Sequence, residues 1–177
     1  MLQKCSITKI ANVFFSEPTK EHYLIEISKK AKLAHTSVKK HLKELKRLLI
    51  IKETIEKKGN RKFPIYKAEI ESKEYKFYKR IHNFVQIKNL TAFLKDKLMP
   101  NNIILFGSYA RGEDIENSDI DIFLECKKEE ISLENFESCL NRKIQLHFKD
   151  NFNNFPKELK NNIINGIVLD GYLEAFK

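Results

Sequence analysis

The sequence predicts an α+β chain: three helices and a β-hairpin, then a long helix, then a small mixed sheet. Three observations predict it. Apolar residues recur at helical spacing three times before residue 50 and then give way to alternation. Residues 71–98 contain no Gly or Pro. The charge also changes sign along the chain. Residues 1–70 hold 17 Lys/Arg against 7 Asp/Glu, a balance of +10, whereas residues 98–177 hold 9 against 14, a balance of −5. A basic part attracts polyanions and an acidic part does not.

Ile7, Ile10, Ala11 and Phe14 place a first helix over Ser6–Phe15, with Ser6 able to cap it and Pro18 beyond its end. Leu24, Ile25, Ile27 and Ala31 give a second helix over His22–Lys32. The turn LAHTS follows, with Thr36 or His35 as a cap. Val38, Leu42, Leu45, Leu48 and Leu49 then mark a third helix over Ser37–Leu49. Ile50–Ile55 and Phe63–Ile70 read as strands on either side of the polar turn 57–62.

This order resembles a winged helix-turn-helix domain over about residues 5–70. The resemblance implies DNA binding and a role in transcription regulation, with the third helix in the major groove and the hairpin on the backbone. Opposite the leucine face the third helix presents Thr36, Ser37, Lys39, Lys40, Lys43 and Lys46, and the hairpin tip presents Lys57, Lys58, Arg61 and Lys62. Lysines suit phosphate contacts, and Ser or Thr serves phosphates or base edges. The contacts expected to matter are Thr36, Ser37, Lys39, Lys40, Lys43, Lys58 and Arg61. The alternative use of such a domain is protein contact or dimerisation.

Tyr75, Tyr78, Ile81, Phe84, Val85, Leu90, Phe93, Leu94 and Leu98 suggest one long helix over Glu71–Leu98 with a single apolar stripe, suited to a core or to a homodimer seam. The expected domains are thus 1–70, a linker helix 71–98, and 99–177.

Ile103–Phe106 reads as a short buried strand. Gly107-Ser108, a helical turn at Tyr109–Arg111 and the loop GEDIENS follow, and Ser118 leads into a strand over Asp119–Glu125. Residues two apart on a strand share a face, so Asp119 and Asp121 point together. Two adjacent carboxylates repel unless a cation neutralises them, which points to a divalent metal, Mg2+ or Mn2+. Gly107 lets a phosphate approach the backbone, Ser108 can donate to it, and Arg111 adds charge-assisted contacts.

The segment FGSYARGEDIENSDIDIFLE resembles the minimal nucleotidyltransferase family of the polymerase-β-like superfamily. Gly107-Ser108, Ala110-Arg111-Gly112 and Ser118-Asp119-Ile120-Asp121 carry the resemblance. PKELKNNIINGIVLDGYLE resembles the closing helix and tail, so the match spans about residues 100–174. It implies transfer of a nucleoside monophosphate from an NTP, with ATP the expected one, to a hydroxyl. It assigns Asp119 and Asp121 to metal and catalysis, and Gly107, Ser108, Arg111 and Ser118 to nucleotide phosphates.

In the family a third carboxylate stands on the next strand. Here that strand is Lys143–Phe148, and Gln145 takes the position. An amide has no charge and is no base, so it argues against transfer. His147, on the same face, reads either as a substitute base or ligand or as an ordinary strand-end histidine. Glu125 and Asp150 are further carboxylates nearby. The first reading is therefore a DNA-binding protein whose second domain binds Mg-NTP. The alternative is an active Mg-dependent nucleotidyltransferase that modifies a protein or RNA hydroxyl, with a partner toxin among the acceptors.

No apolar run approaches the roughly 18 residues of a membrane span, and no signal peptide is recognised. Cys5, Cys126 and Cys139 are too scattered for a zinc set. The expected compartment is the cytoplasm.

Overall fold

A computed structural model describes residues 5–149, 152 and 155–174. The chain divides into two compact units, Met1–His82 and Asn83–Lys177.

The first unit runs α1 (Ser6–Ser16), β1 (Glu21–Tyr23), α2 (Leu24–Ala31), α3 (His35–Arg47), β2 (Ile51–Lys58), β3 (Arg61–Ala68) and the start of α4 (Lys73–Gln86). The expected helices and hairpin are present, with shifted ends. Neither expected cap operates: Cys5 and Ala34 precede α1 and α3, and neither makes a side-chain capping bond. The unexpected element is β1. It pairs antiparallel with β3 through Glu21↔Lys67, His22↔Tyr66 and Tyr23↔Ile65, making a three-stranded sheet of order β1-β3-β2. Three residues are too few to show alternation, and their partner lies over forty residues away, so no local pattern announces them.

β2 and β3 meet at the two-residue turn Gly59-Asn60, with Lys58 opposite Arg61. Gly59 has φ +59, the positive angle that a glycine supplies at the first position of such a turn. Pro64 lies in the central strand, but β1 reaches only as far as Ile65, so the missing N–H interrupts no β1–β3 pair. Ile10, Phe14, Ile27, Val38, Leu42, Leu45 and Tyr75 fill the core. The Tyr75 hydroxyl donates to the Phe14 carbonyl at 3.2 Å.

The expected single helix over 71–98 is two: α4, and α5 (Lys88–Leu98), interrupted at Ile87. The reason is a divided apolar pattern. Tyr75 packs in the first core, whereas Ile87, Leu90, Leu94 and Leu98 pack in the second. Tyr78, Ile81 and Phe84, assigned to the same stripe, are exposed.

The second unit continues with β4 (Asn102–Phe106), α6 (Gly107–Arg111), β5 (Ile120–Leu124), α7 (Glu134–Leu140), β6 (Ile144–Phe148), α8 (Lys157–Ile164) and β7 (Ile167–Gly171). The sheet order is β6-β5-β4-β7. The β5/β6 pair is parallel and the others antiparallel, so the sheet is mixed, as expected. β4 is buried at all five positions because the sheet is covered on both faces. Ile103, Leu105, Ile120, Ile122 and Leu124 pack with the α5 stripe, while Ile104, Phe106 and Phe123 pack with Phe152 and Ile163.

Burial, with Lys79 close by, pushes the His82 imidazole down to about 4. An unfolded His titrates near 6.5. Between these values the unfolded chain takes up a proton that the folded chain refuses, so this contribution is full above about pH 6.5 and is lost as the pH falls towards 4. Urea unfolding of the wild type should therefore show a lower midpoint at pH 5 than at pH 7, and His82→Gln should flatten the difference. An unchanged pH dependence in the variant would remove His82 as its source.

Candidate functional site

The site is built where β4 ends and β5 begins. Phe106 lies opposite Asp121 in the antiparallel pair, so the chain leaving β4 turns beside that carboxylate. Gly107 makes the turn at φ +75. A Cβ there would lie 2.5 Å from Asp121 Oδ2 and 3.3 Å from its Cγ, so the Asp121 carboxylate occupies space that only a glycine leaves. Ser108 sits in the first turn of α6, directly after this cradle.

β6 supplies a partner for each aspartate. Gln145 lies opposite Asp121 in the parallel register. The Gln145 amide donates to Asp119 Oδ2 at 2.5 Å, and His147 Nε2 lies 3.2 Å from Asp121 Oδ1. Because 145 and 147 share one face of β6, Asp119 and Asp121 share the facing side. The His147 ring packs against Phe106, with centroids 5.0 Å apart. Asp121 and His147 are each about one quarter exposed, at 26%.

The other expected phosphate groups are placed less directly. Arg111 is exposed, and its Nε donates to Glu113 at 2.7 Å. The Ser118 hydroxyl accepts the Ile115 N–H at 2.9 Å, which closes the loop ahead of Asp119. Glu125 is engaged by the Asn102 amide at 2.5 Å and the Phe152 N–H at 3.3 Å, and Asp150 lies outside the described residues.

Sequence reasoning missed the network that holds this loop. Asp114 and Arg142 form a buried ion pair at 3.3 Å, their side chains 1% and 7% exposed. Asn83 Nδ2 donates to Asp114 Oδ1 at 2.8 Å and to the Tyr109 carbonyl at 2.9 Å, and Arg142 also donates to the Glu116 carbonyl. Burial raises the Tyr109 phenol far above its ordinary value, and Asp114 adds to the rise. Glu137 accepts the Ile144 N–H at 2.9 Å, and that bond holds its carboxyl below the usual range. A cavity of about 610 Å³ runs from Asp119 past Arg142 and Lys143 to Glu134 and Glu137 on α7.

In the first unit, Thr36, Lys39, Lys40 and Lys43 are exposed on α3, and Ser37 is half-buried. Lys58 is exposed but engaged, 2.8 Å from the Tyr23 hydroxyl and 3.0 Å from Glu56. Arg61 is exposed beside the hairpin turn.

The donor set at β5 and β6 fits a divalent cation. Two carboxylates face one side, the Gly107 cradle leaves Asp121 accessible, and the oxygens of a bound phosphate can complete a coordination shell. Among the described residues, the one group of three ligating side chains within 4.8 Å lies elsewhere, at Glu17, His22 and Glu26. There the Lys30 ammonium already contacts Glu17 and lies 3.0 Å from Glu26, so a side chain neutralises the cluster.

Residues 88–171 match the family described as polymerase beta, nucleotidyltransferase. This stretch contains Gly107, Ser108, Arg111, Asp119, Asp121, Gln145 and His147. Two curated proteins of Methanocaldococcus jannaschii (strain ATCC 43067) are similar to parts of the chain. One, named "Putative protein adenylyltransferase MJ1379", is 66% identical over 32 residues, 18% of this chain and 32% of that protein. The other, named "Putative protein adenylyltransferase MJ0141", is 49% identical over 41 residues, 23% of this chain and 39% of that protein. The matched segments thus span about a third of these relatives' length. The second unit therefore carries a nucleotidyltransferase-like domain.

Gly107→Ala tests the cradle of that domain. A left-handed alanine costs about 1–2 kcal/mol, and the atom in its way is the movable end of a side chain. The variant should unfold at only slightly lower urea, yet lose most metal-dependent nucleotide binding in calorimetric titration because Asp121 is displaced. Unchanged binding would show that the cradle does not position Asp121 for a ligand.

Proposed function

We propose that the second unit binds a divalent cation with ATP and transfers the AMP group to a hydroxyl of a protein. The observation that carries this is Asp121 set into the Gly107 cradle with Asp119, the residue just before β5, held by the Gln145 amide. The names of the two partial relatives suggest the acceptor class.

Asp119 and Asp121 hold the cation, which when bound screens the phosphate charge. Ser108 and the backbone beside Gly107 receive phosphate oxygens, and Arg111 swings from Glu113 to add a further donor. Ser118 acts indirectly by fixing the loop before Asp119. The acceptor oxygen forms the new bond to the α-phosphorus, and the bond to pyrophosphate breaks with its electron pair leaving on pyrophosphate. Gln145 cannot take the hydroxyl proton, so that proton leaves to solvent water, and transfer is slow for this reason.

With α-labelled ATP, Mg2+ or Mn2+ and a cell extract as acceptor source, denatured protein should retain label. Asp119→Ala should abolish it, and Gln145→Asp should raise the initial rate by about tenfold or more, in the range of a restored general base. Label that survives Asp119→Ala would sink the proposal.

A second reading concerns the first unit, which we propose is a winged helix-turn-helix that holds DNA. The supporting observation is that Lys39, Lys40 and Lys43 share α3, are exposed, and make no ion pair with a described residue. Double-stranded DNA retention should fall steeply with salt. Lys39→Glu with Lys40→Glu should weaken it by more than about tenfold and lower the salt slope by about two. Lys58→Ala should matter less, because that ammonium is already engaged by Tyr23 and Glu56. A flat salt response would rule out phosphate contacts.

A further inference from the structure

We infer that His147 is a metal ligand of the second unit and fills the role left open by Gln145, so that the site favours a first-row transition ion over magnesium. This inference rests on the metal-nucleotide reading proposed above.

The geometry comes from β5 and β6. Asp121 uses its two oxygens differently: Oδ2 lies against the Gly107 cradle and Oδ1 faces His147 Nε2 at 3.2 Å. Two ligand atoms bound side by side to one octahedral ion, with bonds of about 2.1 Å, lie about 3 Å apart. The observed separation already suits one ion between the two groups. The ring is held for this task by Phe106, the residue immediately before the cradle.

The two β6 side chains then divide the work. The Gln145 amide donates to Asp119, so it stabilises that carboxylate's charge without competing for a cation. An imidazole has a nitrogen lone pair to give, and in that state its proton sits on Nδ1. The Asp121 carboxylate with one imidazole is a mixed oxygen and nitrogen pair; Asp119 does not lie within 4.8 Å of both to make a set of three. Magnesium demands oxygen ligands and gives up its water reluctantly, whereas first-row transition ions accept imidazole. Manganese also suits carboxylate and phosphate oxygens, which makes it the informative probe.

The test uses the full chain stripped of metal, with a non-hydrolysable ATP analogue. Mn2+ binding is followed by electron paramagnetic resonance, and Mg2+ affinity is measured by competition. Wild type should bind Mn2+ at least about tenfold more tightly than Mg2+ and show the spin-echo modulation of one directly bound imidazole nitrogen. His147→Ala should lose about 10- to 100-fold in Mn2+ affinity, the range seen when a metal site loses an ordering group, with a much smaller change for Mg2+. His147→Asp should abolish the nitrogen signal and bring the two ions closer in affinity, which guards against a loss caused by poor folding of the alanine variant. No nitrogen signal in the wild type, with Mn2+ binding still dependent on Asp121, overturns the ligand role and leaves the proposed function standing. Nucleotide-dependent Mn2+ binding that survives both Asp119→Ala and Asp121→Ala overturns both.

Discussion

The buried Asp114–Arg142 pair is the constraint on which the second unit's site depends. Burying two charges costs several kcal/mol per ion unless each is well paired. Here Asp114 receives donors from Arg142 and Asn83, and Arg142 also reaches the Glu116 carbonyl. These bonds fix both ends of one problem. Asp114 and Glu116 lie in the loop that delivers Asp119, and Arg142 lies two residues before β6. The next backbone bond, from Ile120 N–H to the Lys143 carbonyl at 2.8 Å, starts the parallel ladder. Register follows from that start: Ile120 meets Ile144, Asp121 meets Gln145, and the β6 donors arrive beside the carboxylates. A slip of one residue would turn Gln145 and His147 to the opposite face. An apolar pair of similar volume at 114 and 142 could conserve stability, yet it would lose the bonds that aim the loop.

The same register explains how two carboxylates coexist on one short strand. Asp119 and Asp121 are neighbours on one face, and their mutual repulsion is relieved by a nearby donor or a cation. β6 eases this from the other side, with an amide on one carboxylate and an imidazole beside the other. Gln145 therefore has a positive role as well as a missing charge. A carboxylate at the same position would add a third negative group and make the site depend more heavily on its cation.

Local signals made part of this legible. β4 is an apolar run between turn residues, and Gly107-Ser108 with the spaced aspartates marks the site within sixteen residues. The approach of Gly107 to Asp121 was therefore readable, because the two are close in sequence and their types are chemically restricted. Asn83, Asp114 and Arg142 were not readable, since they are spread over sixty residues and none belongs to a periodic pattern. Asp114 looked like one more polar residue in a loop. The break at Ile87 was hidden for a different reason. A window of helical spacing cannot tell one stripe from two that serve different cores, and the exposure of Tyr78, Ile81 and Phe84 marks where a single-stripe reading fails.

Charge count was an equally blunt guide in the first unit. Part of its positive charge is spent internally: Lys20 and Lys30 meet Glu17, Lys46 meets Glu53, and Lys52 meets Glu69. Exposed pairs of this kind contribute little stability, about 0–1 kcal/mol each, but they cancel the field that a distant polyanion would feel. What remains matters more than the total. Lys39, Lys40 and Lys43 stand on one helix without such partners among the described residues, so the long-range field concentrates there. Arg61 and Lys62 at the hairpin turn are likewise exposed without an ion pair to a described residue, so α3 shares that field with the hairpin. The electrostatic case for α3 therefore rests on the pattern of paired and unpaired lysines, which the formal charge of the chain does not contain.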